Sequence, residues 1–253
     1  MNLLAGFSDI SIWQLAIVGA VAFIANVIGG IAGYGTGALL PLVLVPLIGA
    51  APVVPIVAIS AMFTNTGRVL AFRAHADRRR ALIALAAAIP TCVVGAWGYT
   101  LLTGKGAAIV IGAMLMLTVP LRRLLKYHGI HLKDPGFAAG AFGYGFLVGG
   151  TSGSGVIMLS LLMAAGLAGS AVVATDAMIS IAIGVVKISV FGLAGVVTAQ
   201  VLAFSLLIGA CTLPGPFLAR AMLKWMPVHF HTAILDAVVL LGGAVLVIGG
   251  LRG

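Results

Sequence analysis

Apolar segments of membrane-spanning length follow one another along almost the whole sequence. They are separated by short polar or glycine-rich stretches and run approximately over residues 12–28, 38–48, 52–72, 81–102, 106–121, 137–149, 156–168, 171–191, 198–219 and 232–250. A helix needs about 20 apolar residues to cross the hydrocarbon core of a bilayer. We expect six of these segments to cross alone, so the pattern predicts an all-α polytopic membrane protein.

The composition excludes the soluble alternatives. Hydrophobic residues make up 62% of the chain and charged residues only 8%, and the mean hydropathy is +1.25. The surface of a soluble domain is roughly 25–35% charged. A soluble enzyme, a nucleic-acid-binding protein and a disordered chain are therefore all ruled out, and the chain's surroundings are expected to be lipid.

The basic residues predict how the chain is oriented. Ten of the 14 lysines and arginines fall into three clusters, which are Arg73, Arg78, Arg79 and Arg80; Arg122, Arg123, Lys126 and Lys133; and Arg220 and Lys224. Lys105 and Arg252 lie in the remaining connections. Basic residues collect in cytoplasmic loops. The three clusters are therefore expected inside, with both termini outside.

Two glycine-rich stretches interrupt the apolar pattern. The sequence GGIAGYGTG separates 12–28 from 38–48, and GGTSGSG separates 137–149 from 156–168. The charge assignment is consistent only if each broken pair returns to the side from which it started. Each pair is thus predicted to form a hairpin of two short helices, at 12–48 and 137–168.

The two halves of the chain share several features in the same order. All four glycines of GGIAGYG at 29–35 recur in GGTSGSG at 149–155, and VAISAM at 57–62 resembles VATDAM at 173–178. Each half, 1–127 and 128–253, would contain a broken hairpin plus three transmembrane helices. Because three is an odd number, the second half enters from the opposite side, as in the inverted-topology repeats of many secondary transporters.

These motifs resemble the sulfite exporter TauE/SafE family of membrane transporters. The duplicated GGxxGxG break carries the resemblance, together with the polar steps Ile59-Ser60 and Thr175-Asp176 in the span that follows each hairpin. The resemblance covers roughly residues 15–250. It implies secondary transport of a small anion, of the sulfite, thiosulfate or organosulfonate type, across the bacterial inner membrane.

The glycine-rich breaks predict an anion site. Unwound backbone is tolerated at membrane depth only where protein or a water-filled cavity satisfies it, and each helix that begins after a break presents free N–H groups. The candidate residues are Gly33, Tyr34, Gly35, Thr36, Thr151, Ser152, Gly153 and Ser154. The alternative is that the glycines serve only close helix packing.

Ionisable residues inside spans are candidates for function because they are costly there. Arg68 lies about one turn from the inner end of 52–72, and Lys187 about one turn from the outer end of 171–191. We expect them to flank the bound anion at two gates, although either side chain could instead extend to the lipid headgroups. Asn65 is a possible substrate contact or a helix–helix hydrogen bond. Asp176 is the candidate for carrying a coupling proton, with an ion pair to Arg68 as the alternative.

Two competing functions remain. Gly150-Thr151-Ser152-Gly153 matches the GxSG pattern of rhomboid intramembrane proteases, but none of the five histidines lies in the middle of a span to act as a base. We therefore predict that the chain is not an enzyme and needs no cofactor or metal. A passive anion channel would use the same helix breaks and stays open as the alternative. A homodimer is possible.

Overall fold

The structure is a computed structural model that describes residues 6–7, 10–32, 36–127, 131–215, 218 and 228–252, with the side chains of these residues except 28–32, 122–127 and 228–235. Within this part of the chain every regular element is a helix. The helices are α1 (Ile12–Ala32), α2 (Thr36–Ile48), α3 (Val53–Phe72), α4 (Arg78–Thr100), α5 (Gly104–Tyr127), α6 (Asp134–Gly150), α7 (Gly155–Ala164), α8 (Ser170–Leu193), α9 (Ala199–Thr212) and α10 (Val228–Arg252). The prediction of an all-α chain is confirmed.

The helices have the length and the surface of a membrane protein. Among the described residues, four stretches are long and apolar enough to span a bilayer, namely Val53–His75, Arg78–Thr100, Gly104–Leu121 and Ser170–Leu193. Large apolar side chains stay exposed on the outside of the bundle, such as Trp13 at 78% and Leu193 at 86%. Soluble monomers rarely expose large contiguous apolar patches. The chain is therefore a polytopic α-helical membrane protein.

The two helix breaks are shorter than the glycine-rich stretches suggested. Helix α1 continues through Gly29 and Gly30 to Ala32, and α2 begins at Thr36. Helix α6 extends to Gly150, so the second break comprises only Thr151–Ser154 before α7. Glycine is a weak helix former, but packing against neighbouring helices outweighs the roughly 1 kcal/mol that each glycine costs.

Two helices end before the apolar segments that contain them. The segment 156–168 ends as a helix at Ala164, because Gly166 adopts a φ of +94° and the N–H of Leu167 donates to the carbonyl of Leu162 at 3.0 Å. This is the Schellman arrangement that terminates helices. The segment 198–219 contains α9, which ends at Thr212; Leu213 keeps helical backbone angles, and Pro214 has no N–H to continue the hydrogen-bond pattern.

One end of the bundle, here called the basic face, carries the turn 73–77 and the first residues of α4, α6 and α8. Arg80 contacts Asp134 at 2.6 Å, and the backbone N–H of Asp77 donates to Thr175 Oγ1 at 2.9 Å. The N–H of Leu132 donates to the carbonyl of Ala164 at 2.7 Å. The hairpin α6–α7 therefore starts and ends at this face.

The opposite face holds the ends of the other hairpin. The Tyr99 hydroxyl, at the end of α4, donates to the carbonyl of Ala50 in the α2–α3 turn at 2.8 Å. The ring of Tyr99 also contacts that of Phe191 near the end of α8. Phe7, ahead of α1, packs edge-on against Phe204 in the first half of α9. The hairpin α1–α2 thus starts and ends away from the basic face.

Helix packing follows the same plan in both halves. Helix α4 packs on α6 and α8, and α9 packs on α1 and α3. Helix α5 contacts α7, and α10 contacts α2. Helices α3 and α8, one from each half, pack directly against each other.

Candidate functional site

A cavity of about 150 Å³ lies where α2 and α7 begin, between α3 and α8. This volume accommodates on the order of ten water-sized probes, and therefore a small polyatomic ion. Its polar lining consists of Thr36, Thr64, Asn65, Arg68, Tyr144, Thr151, Ser152, Ser154, Asp176, Ser180 and Lys187. All the candidate residues that the structure describes line this cavity, whereas Gly33, Tyr34 and Gly35 lie outside the described residues.

One face of α3 and one face of α8 form the walls. From α3 the cavity is lined by Val57, Ala58, Ala61, Thr64, Asn65 and Arg68, and from α8 by Asp176, Ser180, Ile183, Gly184 and Lys187. The residues of each set recur every three or four positions, which is the spacing of one helical face. Arg68 and Asp176 lie toward the basic face, and Lys187 lies toward the opposite one.

The tips of the two hairpins touch each other beside the cavity. The Ser152 hydroxyl donates to the carbonyl of Gly37 at 2.5 Å. A Cβ atom added to Gly37 would lie 3.0 Å from the Gly153 nitrogen, so the two backbones approach closely. Gly153 has a φ of +85°, a conformation that favours glycine. The start of α2 and the break between α6 and α7, distant in sequence, thus lie together at one side of the cavity.

The helix starts at these tips supply positive electrostatic potential. Thr36, Gly37 and Ala38 open α2, and Ser154 and Gly155 open α7, and all of them line the cavity. The first backbone N–H groups of a helix lack partners within it and carry a partial positive charge. Two such ends at one cavity suit an anion.

Not every glycine of the motif serves the break. A Cβ atom on Gly145 or Gly149 would collide with backbone atoms of α4 at Ala88 and Cys92. These two glycines therefore allow α4 and α6 to pack closely, as small residues do between membrane helices. The packing interpretation thus applies to Gly149, whereas Gly153 lies in the break itself, beside Gly37.

The hydroxyls of Thr151 and Ser152 have protein partners. Thr151 Oγ1 donates to the carbonyl of Leu147 at 2.6 Å, and Ser152 Oγ donates to that of Gly37. A hydroxyl has one proton to donate, and an oxyanion offers only acceptor atoms. In this conformation both side chains shape the break, which leaves Thr36, Ser154 and Asn65 among the predicted residues as polar groups facing the cavity.

Two of the charged residues are almost fully buried. Asp176 is 3% exposed and Lys187 is 6% exposed. Arg68 and Asp176 attract each other across the cavity, and Asp176 Oδ1 is without a hydrogen-bond partner among the described residues. Lys187 Nζ donates to the carbonyls of Val148 at 2.6 Å and Thr151 at 3.1 Å. Lys187 therefore points inward and does not extend to the headgroups.

Sequence reasoning missed three polar residues of the lining. Thr64 and Ser180 are related by the same spacing of 116 residues that aligns VAISAM with VATDAM, so the repeat contained a signal for both. Tyr144 lies in the middle of α6 and is 2% exposed. A single aromatic residue in an apolar helix gives no such signal.

Comparison with known families decides the class of protein. The sequence matches the profile of the sulfite exporter TauE/SafE family over residues 18–246. The chain belongs to the sulfite exporter TauE/SafE family. Neither a curated protein nor a solved structure matches it.

Membership of the TauE/SafE family sets the general activity. Its members are multi-pass membrane transporters and not enzymes, and the family implies a small anionic substrate. The resemblance drawn from the duplicated glycine motif is confirmed. The exposed apolar surface and the cavity lined by several polar and charged side chains agree with this assignment.

Proposed function

We propose that this TauE/SafE protein is a secondary transporter that moves a small anion of the sulfite, thiosulfate or organosulfonate type across the bacterial inner membrane. The observation that carries the proposal is the cavity into which two helix starts, Arg68 and Lys187 all converge. With Arg68, Lys187 and Asp176 all ionised, the lining has a net charge of plus one. Such a site favours an anion over a cation of the same size.

Within this proposal the anion lies between the two hairpin tips. The N–H groups at the starts of α2 and α7 would donate to its oxygen atoms, and Arg68 would neutralise its charge from the side of the basic face. Thr36, Asn65 and Ser154 would add hydrogen bonds that fix its orientation. Gly33, Tyr34 and Gly35 complete the proposed site on the side of the first hairpin.

Alternating access follows from the proposed repeats. We treat 1–127 and 128–253 as inverted repeats, supported by the two hairpins at opposite faces and by the matched packing of α4 on α6 and α9 on α1. In such a design one repeat rocks against the other around a fixed central site. The basic face would be cytoplasmic and both termini external, in line with the distribution of lysine and arginine.

Asp176 is the proposed carrier of a coupling proton. Its carboxylate is buried beside Arg68 and has one oxygen without a partner among the described groups. An anion bound to Arg68 would compete with Asp176 for the same cation. A proton arriving on Asp176 would remove that competition, so proton and anion would move together.

The test is uptake of labelled sulfite into proteoliposomes, with and without a pH gradient. We expect saturable uptake that the gradient accelerates. Arg68→Gln should raise the KM about tenfold or more, because it removes a charged hydrogen-bonding group. The matched control is Arg73→Gln on the exposed turn of the basic face, which should leave the KM unchanged.

Three outcomes separate the alternatives. Rapid, gradient-independent flux of many unrelated anions would indicate a passive channel. Saturable uptake at the same rate with and without the pH gradient would contradict the proposed role of Asp176, but it would still support anion transport. The absence of saturable flux with sulfite, thiosulfate and a sulfonate alike would contradict the proposal itself.

A further inference from the structure

Lys187 makes hydrogen bonds to the backbone that a role in a gate does not explain. Its ammonium group donates to two backbone carbonyls, Val148 at 2.6 Å and Thr151 at 3.1 Å. These carbonyls belong to the last turn of α6 and to the first residue of the break. The last four carbonyls of a helix have no partner within it. Lys187 on α8 therefore completes the end of α6.

The surroundings of Lys187 leave these carbonyls as its main partners. No ion pair among the described residues includes Lys187, although the side chain is 6% exposed. Asp176 lies on the same helix, eleven residues away, which corresponds to a rise of about 16 Å. A buried ammonium without a carboxylate requires other acceptors, and the negative end of the α6 dipole provides them.

The contacts of Lys187 continue through the break to the other hairpin. Thr151 Oγ1 donates to the carbonyl of Leu147. The next residue, Ser152, donates through its hydroxyl to the carbonyl of Gly37 at the start of α2. Helix α7 then begins at Gly155, after Gly153 with its positive φ. The position of the α7 start therefore depends on how the end of α6 is held.

We propose that Lys187 is a positioning residue, which fixes the α6–α7 break through two backbone hydrogen bonds so that the start of α7 faces the anion. This inference rests on the proposed transport function. It also makes the two halves unequal, because Arg68 would act on the anion by its charge and Lys187 through the backbone. The ammonium has three protons, and its third one is left for the cavity.

Three variants of the full chain separate hydrogen bonding from charge. Lys187→Met and Lys187→Gln both shorten the side chain by one atom; Met loses every donor, whereas Gln keeps two amide donors without charge. Lys187→Arg keeps both donors and charge. With sulfite in proteoliposomes, we expect Lys187→Met to raise the KM about 10- to 100-fold. Lys187→Arg should stay within a few-fold of the original protein, and Lys187→Gln, which lowers the net charge of the lining to zero, should lie between Lys187→Arg and Lys187→Met. Equal impairment of Lys187→Gln and Lys187→Met, with amide exchange over 147–156 in Lys187→Gln at the original rate, would show that charge is what matters and would overturn the proposal.

Amide hydrogen exchange on the purified protein without substrate gives an independent measurement. Peptides covering 147–156 should exchange about tenfold faster in Lys187→Met than in the original protein or Lys187→Gln, while peptides from the first half of α5 stay unchanged. Unaltered exchange over 147–156 in Lys187→Met would overturn the positioning role. A protein that moves none of sulfite, thiosulfate and a sulfonate but shows this exchange pattern would contradict the transport function alone.

Discussion

Gly153 provides the sharpest test of how the break is built. Its φ of +85° is a conformation that costs an L-residue about 1–2 kcal/mol. A Cβ atom at this position would also lie 3.0 Å from Leu115 Cδ2 and 3.3 Å from the Gly37 carbonyl oxygen. The first neighbour is the end of a flexible side chain, but the second is backbone at the tip of the other hairpin. We therefore expect Gly153→Ala to destabilise the local conformation by about 2–3 kcal/mol.

The matched control is Gly155→Ala, two residues further along. A Cβ atom on Gly155 meets nothing within 4 Å, and the residue begins α7 with no positive φ. Alanine is a better helix former than glycine by about 1 kcal/mol. Gly155→Ala should therefore be neutral or slightly stabilising, although it adds the same methyl group two residues away.

Two assays measure the difference between these variants. If the anion binds only when the break has its native shape, 2–3 kcal/mol corresponds to a rise in KM of roughly 30- to 150-fold for Gly153→Ala. Thermal unfolding in detergent should show a midpoint several degrees lower for this variant and an unchanged one for Gly155→Ala. Equal KM values and equal midpoints for the two variants would refute the reasoning, because the positive φ and the contact with Gly37 would then have no energetic consequence.

Three further substitutions probe other contacts. Ser152→Ala removes the hydrogen bond between the hairpin tips and should cost about 1 kcal/mol, seen as a few-fold higher KM for sulfite; an unchanged KM would argue against coupling of the tips. Gly149→Ala places a methyl group against the backbone of α4 and should lower the unfolding midpoint by several degrees, whereas Gly143→Ala on the same helix has open space and should not. Asp134→Asn removes the contacts with two arginines at the basic face, but its side chain is 34% exposed, so we expect a loss of about 0.2–1 kcal/mol that shrinks at high salt. A loss from Asp134→Asn that is large and independent of salt would contradict a surface ion pair.

The helices and the breaks between them were accessible from the sequence because both depend on local properties. Apolar runs of span length and glycine clusters are visible in a single chain, and the described helices follow them to within a few residues in most cases. Two helices end earlier than the apolar pattern predicts, because of single residues that do not interrupt that pattern. Gly166, with its positive φ, and Pro214, which has no N–H, follow the ends of α7 and α9, although the apolar residues continue beyond them.

The candidate site was predictable in its membership and less so in its roles. Charged residues in spans and the duplicated break led to Arg68, Asp176 and Lys187, and the cavity brings these three together. The acceptors of Lys187 and Ser152, by contrast, are carbonyls 36 and 115 residues away in the chain. Any residue has a backbone carbonyl, so residue identity contains no information on which carbonyls a side chain reaches.

The contact between Ser152 and Gly37 limits how the two halves of the chain can be exchanged or separated. Because Ser152 and Gly153 lie against Gly37, both halves of the chain contribute to the wall of the proposed anion site. A chimera that exchanges one half for that of a distant relative would therefore need to bring the matching tip with it. Fragments split at 128–130 should regain anion binding only when both are produced together, since neither contains a complete pocket.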